Sequence, residues 1–272
     1  MHNEGNLSKM KTALKDENVS YQLPLSHEGK VDLIDMTPLL GKKISLISRD
    51  IYHCVHCGIE SKKSYGNGYC FKCFSTLAEC DMCIVKPETC HYDQGTCRDP
   101  RWGEKHCMQE HYVYLANSSG LKVGITRAGQ IPTRWMDQGA VEALTLVKVQ
   151  TRFISGLIEV ELAKHMSDKT NWRQMLTEGD VDLDLVREKK KYLKLIAEFI
   201  DMYGAEVTED QVVKLQYPII SYPKKITSLS FEKTPRVEGV LQGIKGQYLI
   251  LDSGVINIRK YNGLKIQFEA KA

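Results

Sequence analysis

The sequence predicts an α+β protein whose loops are held by bound metal, and three observations carry that reading. Two Cys-x-x-Cys hooks, Cys54/Cys57 and Cys70/Cys73, are separated by twelve residues. Both ends of the chain alternate apolar and polar residues as strands do, while two stretches of the middle repeat apolar residues at helical spacing. All nine cysteines fall between Cys54 and Cys107.

The hooks come first because their spacing is the most specific pattern in the chain. Each hook places two sulfurs on a tight turn, and two hooks brought together make a closed tetrahedral site, which predicts Zn²⁺. Gly66 and Gly68 suit the turn that returns the chain to the second hook. Four thiolates leave no position for water, so this site is expected to be structural rather than catalytic. A second group follows: Cys80, Cys83, Cys90, Cys97 and Cys107, with His91, His106 and His111 nearby. One more tetrahedral ion needs four ligands. The expected set is Cys80, Cys83, Cys90 and Cys97, with Cys107 an alternative to any of them; a histidine ligand or an iron–sulfur cluster stays open. Clustered cysteines in a chain with no export signal favour metal over disulfides.

Composition excludes several classes. The 272 residues are 42% hydrophobic and 26% charged, which is ordinary for a soluble chain with two or three small domains. No apolar run approaches the roughly 18 residues that a membrane helix needs, so no membrane partner is expected and the cytoplasm is the default location. The formal charge is +3. Eight bound thiolates add eight negative charges and two Zn²⁺ add four positive ones, which leaves about −1. Net charge therefore gives no argument for nucleic acid, and any such argument rests on local groups.

Four segments are expected. Residues 1–50 form an N-terminal β segment, with alternation in Val19 to Leu25, Val31 to Leu33 and Ile44 to Leu46. Residues 51–110 form the Cys-rich zinc-binding block. Residues 111–205 form an α/β domain, and residues 206–272 a C-terminal β domain with four short strands separated by glycine-containing turns. The two outer β segments are small and barrel-like, and one sheet shared between them is expected. Within 111–205, Tyr112 to Leu115 and Leu121 to Ile125 flank a turn at Asn117 to Gly120 and make a hairpin. A short helix near Pro132, a strand over Ala143 to Val149, and helices over Phe153 to Met166 and Leu183 to Met202 follow.

The order of these residues carries a resemblance. Val113-Tyr114 on the first strand, Lys122-Val123-Gly124 on the second, Arg134 on the short helix and Glu159 on the helix after the third strand resemble the GIY-YIG nuclease superfamily over about 60 residues. Lys122 stands where that family's second signature has Tyr, and Asn171 is a loose match to its late Asn. The resemblance implies a small antiparallel sheet with helices, and a site of Tyr114, Lys122, Arg134 and Glu159 acting on a phosphodiester. Tyr114 would act as base or orient water, Arg134 would grip a phosphate, and Glu159 would hold Mg²⁺ or Mn²⁺. The whole chain also resembles an uncharacterised group of bacterial Cys-rich proteins, which implies no activity. The Cys block is expected to be of zinc-ribbon or treble-clef type. Two functions follow as expectations: a zinc-containing protein that binds DNA or RNA and cuts it, or a non-catalytic module that docks nucleic acid or a protein partner.

Three features are read as secondary. The basic run at Arg187, Lys189, Lys190, Lys191 and Lys194 is expected to be a solvated helix face. Trp102, Trp135 and Trp172 stand beside or near arginines, which suits base stacking and equally suits a packed junction. No phosphate-cradling glycine loop, His-Glu-x-x-His or Gly-x-Ser-x-Gly occurs.

Overall fold

The computed structural model describes residues 2–167, 169–177 and 181–271. In chain order the elements are β1 (His2–Leu7), β2 (Lys11–Lys15), β3 (Asn18–His27), β4 (Lys30–Asp35), β5 (Lys43–His53), β6 (Glu60–Ser61), α1 (Phe71–Thr76), α2 (Pro100–His106), β7 (His111–Asn117), β8 (Leu121–Arg127), α3 (Thr133–Asp137), β9 (Glu142–Val149), α4 (Arg152–Ala163), α5 (Trp172–Met175), α6 (Leu185–Leu195), α7 (Ala197–Tyr203), β10 (Glu206–Val207), β11 (Val213–Lys214), β12 (Arg236–Lys245), β13 (Tyr248–Leu251), β14 (Gly254–Asn257) and β15 (Leu264–Ala270). They divide into two compact units. One takes residues 1–75, 176–178 and 216–272, and the other takes 76–175 and 179–215. The boundary runs through the Cys-rich stretch, so Cys54 to Cys73 belong to the first unit and Cys80 to Cys107 to the second.

The first unit is a curled, partly open sheet, a half-barrel. Its strands run in the order β14-β13-β12-β5-β15-β1-β3-β2, with β4 beside β3 and β6 beside β5. The two outer β segments share this sheet, as expected: β15 pairs antiparallel with both β1 and β5. Alternation sets the inner face. Leu264, Ile266, Phe268 and Ala270 point inward along β15 while the residues between them are half-exposed. Leu7, Leu23, Leu25, Ile44, Leu46, Val237 and Leu241 complete the core. Each such side chain contributes about 1.5–3 kcal/mol on burial.

The second unit is a sheet of order β10-β9-β7-β8, with β11 also on β9, and helices against it. Val113 and Leu115 of β7 and Val123 and Ile125 of β8 face a core completed by Ile158 and Leu162 of α4 and by Leu185, Tyr192 and Ile196. Thr151 caps α4 by accepting the Ile154 N–H. The expected helix at 153–166 therefore forms, but its buried stripe is Ser155, Gly156, Ile158 and Leu162, and Val160 faces out. The expected helix over 183–202 divides at Ile196 into α6 and α7.

The basic run on α6 is not a continuous solvated face. Lys189 is buried, and its ammonium donates to the Thr208 and Glu209 carbonyls at 2.6 and 2.9 Å and pairs with Asp210 at 3.1 Å. Lys191 bonds the Tyr192 hydroxyl and Glu188.

Gly156 fixes how α4 meets the cysteine loop of its own unit. A Cβ there would stand 2.6 Å from Pro87 Cβ and 2.7 Å from the Glu88 amide nitrogen. A proline ring and a backbone atom cannot rotate aside. Gly156→Ala gains about 1 kcal/mol of helix propensity, yet is expected to destabilise by a net ~1–3 kcal/mol through overpacking. Thermal unfolding of the variant checks this; an unchanged or raised midpoint contradicts it.

Candidate metal centres and the hairpin cluster

In the first unit, β5 ends at His53 and the chain turns through the first hook. The Cys54 N–H bonds the Ile59 carbonyl, and the Val55 N–H bonds the Gly68 carbonyl. Gly68 holds φ +119 with Val55 and Asn262 against its α-carbon, a place that only glycine fits. The second hook opens α1, so Cys73 lies inside a helix. The sulfurs of Cys54, Cys57, Cys70 and Cys73 all lie within 4.8 Å of one another. Cys57 and Cys70 are 3.8 Å apart. A tetrahedron with Zn–S bonds of about 2.3 Å has sulfur–sulfur edges of about 3.8 Å, whereas a disulfide needs about 2.05 Å. The donor set fits a tetrahedral thiophilic ion. Burial pushes the Cys54 thiol up, but hydrogen bonds from the Cys57, Cys70 and His56 backbone outweigh it and hold the thiol at about 6.

In the second unit, Asp81, Cys83 and His91 present ligand atoms within 4.8 Å of one another and could also chelate an ion. All three line one small cavity together with Cys90, Cys97 and Cys107, and Cys80 is not among its lining residues. All nine cysteines are outside disulfides.

The four residues picked out on the hairpin and its helices lie as follows. Tyr114 on β7 is fully buried; its cross-strand partner is Gly124, and its hydroxyl donates to Gln138 Oε1 at 2.7 Å. Its ring meets Trp135 edge-on at 5.9 Å. Burial raises the phenol pKa. Arg134, by its charge and as a donor, pulls it back, and the Glu159 carboxylate pushes it up. Tyr114, Arg134 and Glu159 thus share one electrostatic neighbourhood. Lys122 is on the Tyr114 side of the hairpin by alternation, but it is buried, with its ammonium 3.4 Å from Thr170 Oγ1. Asn171 accepts the Gln174 N–H at the head of α5, a capping role. Of the tryptophans, Trp102 stacks on His106, Trp135 is buried, and Trp172 has Arg173 lying 4.3 Å over its ring.

Of two further residues in this region, Arg152 has no mark in the sequence and His111 is named there only as a histidine near the second cysteine group. Arg152 opens α4, and burial lowers its pKa; the charges of Cys107, Arg134, Glu159 and Cys83 also act on it. His111 is wholly buried, its Nδ1 2.7 Å from the Gln109 carbonyl. Burial is the largest effect on it, and with the Arg152 and Arg127 charges it holds the imidazole down to about 4. No pattern of spacing marks either residue.

The half-barrel and cysteine sites define an α+β protein with two clusters able to bind metal, and no helix among the described residues is long and apolar enough to cross a membrane. The chain belongs to the family described as a protein of unknown function (DUF2797), whose model matches residues 41–266. Comparison with curated proteins and with solved structures gives no match.

Proposed function

We propose that this is a cytoplasmic, zinc-containing protein that engages nucleic acid through its 76–215 unit and cleaves phosphodiester bonds there in the manner of a GIY-YIG-like endonuclease. The observation that carries the reading is the shared electrostatic neighbourhood of Tyr114, Arg134 and Glu159. A phosphodiester needs a cation on its oxygens, a means of orienting water and charge for the leaving oxygen. Arg134 supplies a bidentate guanidinium. Glu159 would hold Mg²⁺ or Mn²⁺, which when bound would stabilise the leaving oxygen. The raised Tyr114 pKa keeps the phenol protonated at neutral pH, so it serves as a donor that positions the site rather than as the base. Lys122 contributes positive charge from beneath the same side. Zn²⁺ at the cysteine sites is structural, and the helix that begins at the second hook suits a treble-clef-like block. The 51–110 block and the 111–205 core remain useful functional segments under this proposal.

The test is incubation of the protein with branched, single-stranded and duplex DNA and RNA in Mg²⁺ or Mn²⁺. Cleavage is expected, and Glu159→Ala is expected to reduce it by on the order of 100-fold or more. Cleavage unchanged in that variant removes Glu159 from the mechanism, and no nucleic-acid binding at low salt removes the proposal. A second reading rests on the apolar side chains at the first cysteine site. Val55, Ile59 and Phe71 are 48, 59 and 64% exposed, which suits a non-catalytic module docking a protein partner.

A further inference from the structure

We propose that Asp81, Cys83 and His91 hold a divalent ion reversibly, and that this ion clasps residues 81–91 into the seat on which α4 rests. The clasp is independent of any activity on nucleic acid. Only its consequence, that loss of the ion frees the helix carrying Glu159, bears on the phosphodiester reading and rests on it.

Donor geometry is the first argument. The three ligand atoms lie within 4.8 Å of one another. His91 Nε2 and Asp81 Oδ2 are 3.6 Å apart, close to the roughly 3.4 Å edge of a tetrahedron with bonds of about 2.1 Å to nitrogen and oxygen. Both side chains are oriented from behind, as the ligands of a metal are. The Thr96 hydroxyl donates to the His91 carbonyl at 3.2 Å, so its oxygen, 2.8 Å from His91 Nδ1, accepts the ring N–H. The lone pair of the neutral imidazole then falls on Nε2, the nitrogen that faces Asp81. Arg98 Nε donates to Asp81 Oδ2 at 2.7 Å and fixes the carboxylate.

The donor set also decides how firmly the ion is held. One oxygen, one nitrogen and one sulfur suit a borderline ion such as Zn²⁺, and the carboxylate and thiolate together neutralise its charge. Three protein ligands leave one tetrahedral position for water, whereas Cys54, Cys57, Cys70 and Cys73 close their site. The ion at Asp81, Cys83 and His91 is therefore the more readily exchanged of the two.

Topology is the second, independent argument. The donors stand at the two ends of a short loop, and residues between them meet α4. Arg152 Nη2 donates to the Ile84 carbonyl at 2.6 Å. One turn further along the helix, Gly156 lies so close to the loop that a Cβ would stand 2.6 Å from Pro87 Cβ and 2.7 Å from the Glu88 amide nitrogen. Arg152, Gly156 and Glu159 fall on one helix face, at i, i+4 and i+7, so the loop bears on the stripe that carries Glu159. The backbone bonds within the loop are short-range: the Ile84 N–H bonds the Asp81 carbonyl, and the Cys90 N–H bonds the Pro87 carbonyl. Such turns alone leave the two ends of the loop free, and an ion joining residues 81, 83 and 91 removes that freedom.

The test uses the full-length protein saturated with Zn²⁺. Elemental analysis is expected to find two ions per chain, one of which leaves first as a chelator is raised. Hydrogen exchange read by mass spectrometry is expected to show the amides of Arg152–Ala163 exchanging about tenfold faster or more once that ion has left, while β12 and β15 stay protected. Unchanged exchange with the ion gone overturns the clasp. A single ion at saturation overturns the site and leaves Asp81 and His91 as an ordinary ion pair. His91→Ala is expected to hold one ion and to show the faster exchange without chelator; two ions retained in it overturn the ligand set. Arg152→Met is expected to keep both ions and still loosen the start of α4, and unchanged exchange there overturns the loop as the seat of the helix. Cleavage enters none of these readouts, so a protein that cuts no nucleic acid counts against the phosphodiester reading alone.

Discussion

Replacing Cys73 by Ser is expected to cost the protein one metal ion and to unfold the loop from Cys54 to Ser75 while the half-barrel survives. Besides the sulfurs, residues 54–75 are tied by the pairing of β6 with β5 and by the Asn262 amide on the Asn67 carbonyl. Tyr65 packs edge-on against Phe71 at 5.5 Å and stacks on Phe74 at 6.1 Å, and backbone bonds such as Tyr65 with Tyr69 close the turn. Such contacts contribute about 0.5–1.5 kcal/mol each. Structural zinc sites supply apparent binding energies of about 10–16 kcal/mol in small peptides, so metal dominates the stability of the loop. The half-barrel has its own core, from Leu7 through Phe268, and its own register between β5 and β15. Limited proteolysis should therefore cut the Cys73→Ser protein within 54–75 and leave the strands intact, and a strong chelator should do the same to the unsubstituted protein. Resistance of that loop with one ion missing would show that contacts other than metal hold it.

What the sequence discloses depends on how local the determining contacts are. The Cys54, Cys57, Cys70 and Cys73 set was readable because each hook is one turn and the pair needs a single closure. The second cluster was not, because Asp81, Cys83 and His91 are brought together from separate turns that no spacing rule orders. Alternation in Leu264 to Ala270 announced a strand with one buried face, and the pairing of β1 with β15 follows from two such segments needing to bury the same kind of face. Lys189 and Arg152 were illegible for a different reason. Sequence shows the charge but not the carbonyls of Thr208, Glu209 and Ile84 that make burial tolerable. The buried stripe of α4 is not legible as an apolar pattern because Ser155 and Gly156 are small rather than apolar, and smallness at Gly156 is what the contact with Pro87 requires.

A single methyl group at Gly124 should disturb the packing around Tyr114 strongly. In the sequence it is one glycine within Lys122-Val123-Gly124; in the fold it lies directly across from Tyr114. A Cβ there would overlap the Tyr114 hydroxyl and stand 2.5 Å from its Cζ. The ring has no easy escape, being fully buried, bonded through its hydroxyl to Gln138 at 2.7 Å and set edge-on to Trp135. Gly124→Ala is therefore expected to destabilise by about 1–3 kcal/mol and to lower any nucleic-acid cleavage along with it. Tyr114→Phe removes the nearest atom of the clash and, alone, should cost about 1 kcal/mol for the lost hydrogen bond to Gln138. In the double variant the two costs should not add: with the hydroxyl gone, the new methyl group meets less of the ring, and the combined loss should fall short of the sum of the single losses by about 0.5 kcal/mol or more. Urea unfolding of the four proteins gives this coupling directly. Strict additivity would mean that the glycine is needed for the strand's backbone rather than for the approach of the phenol, and the packing account of Gly124 against Tyr114 would fail with it.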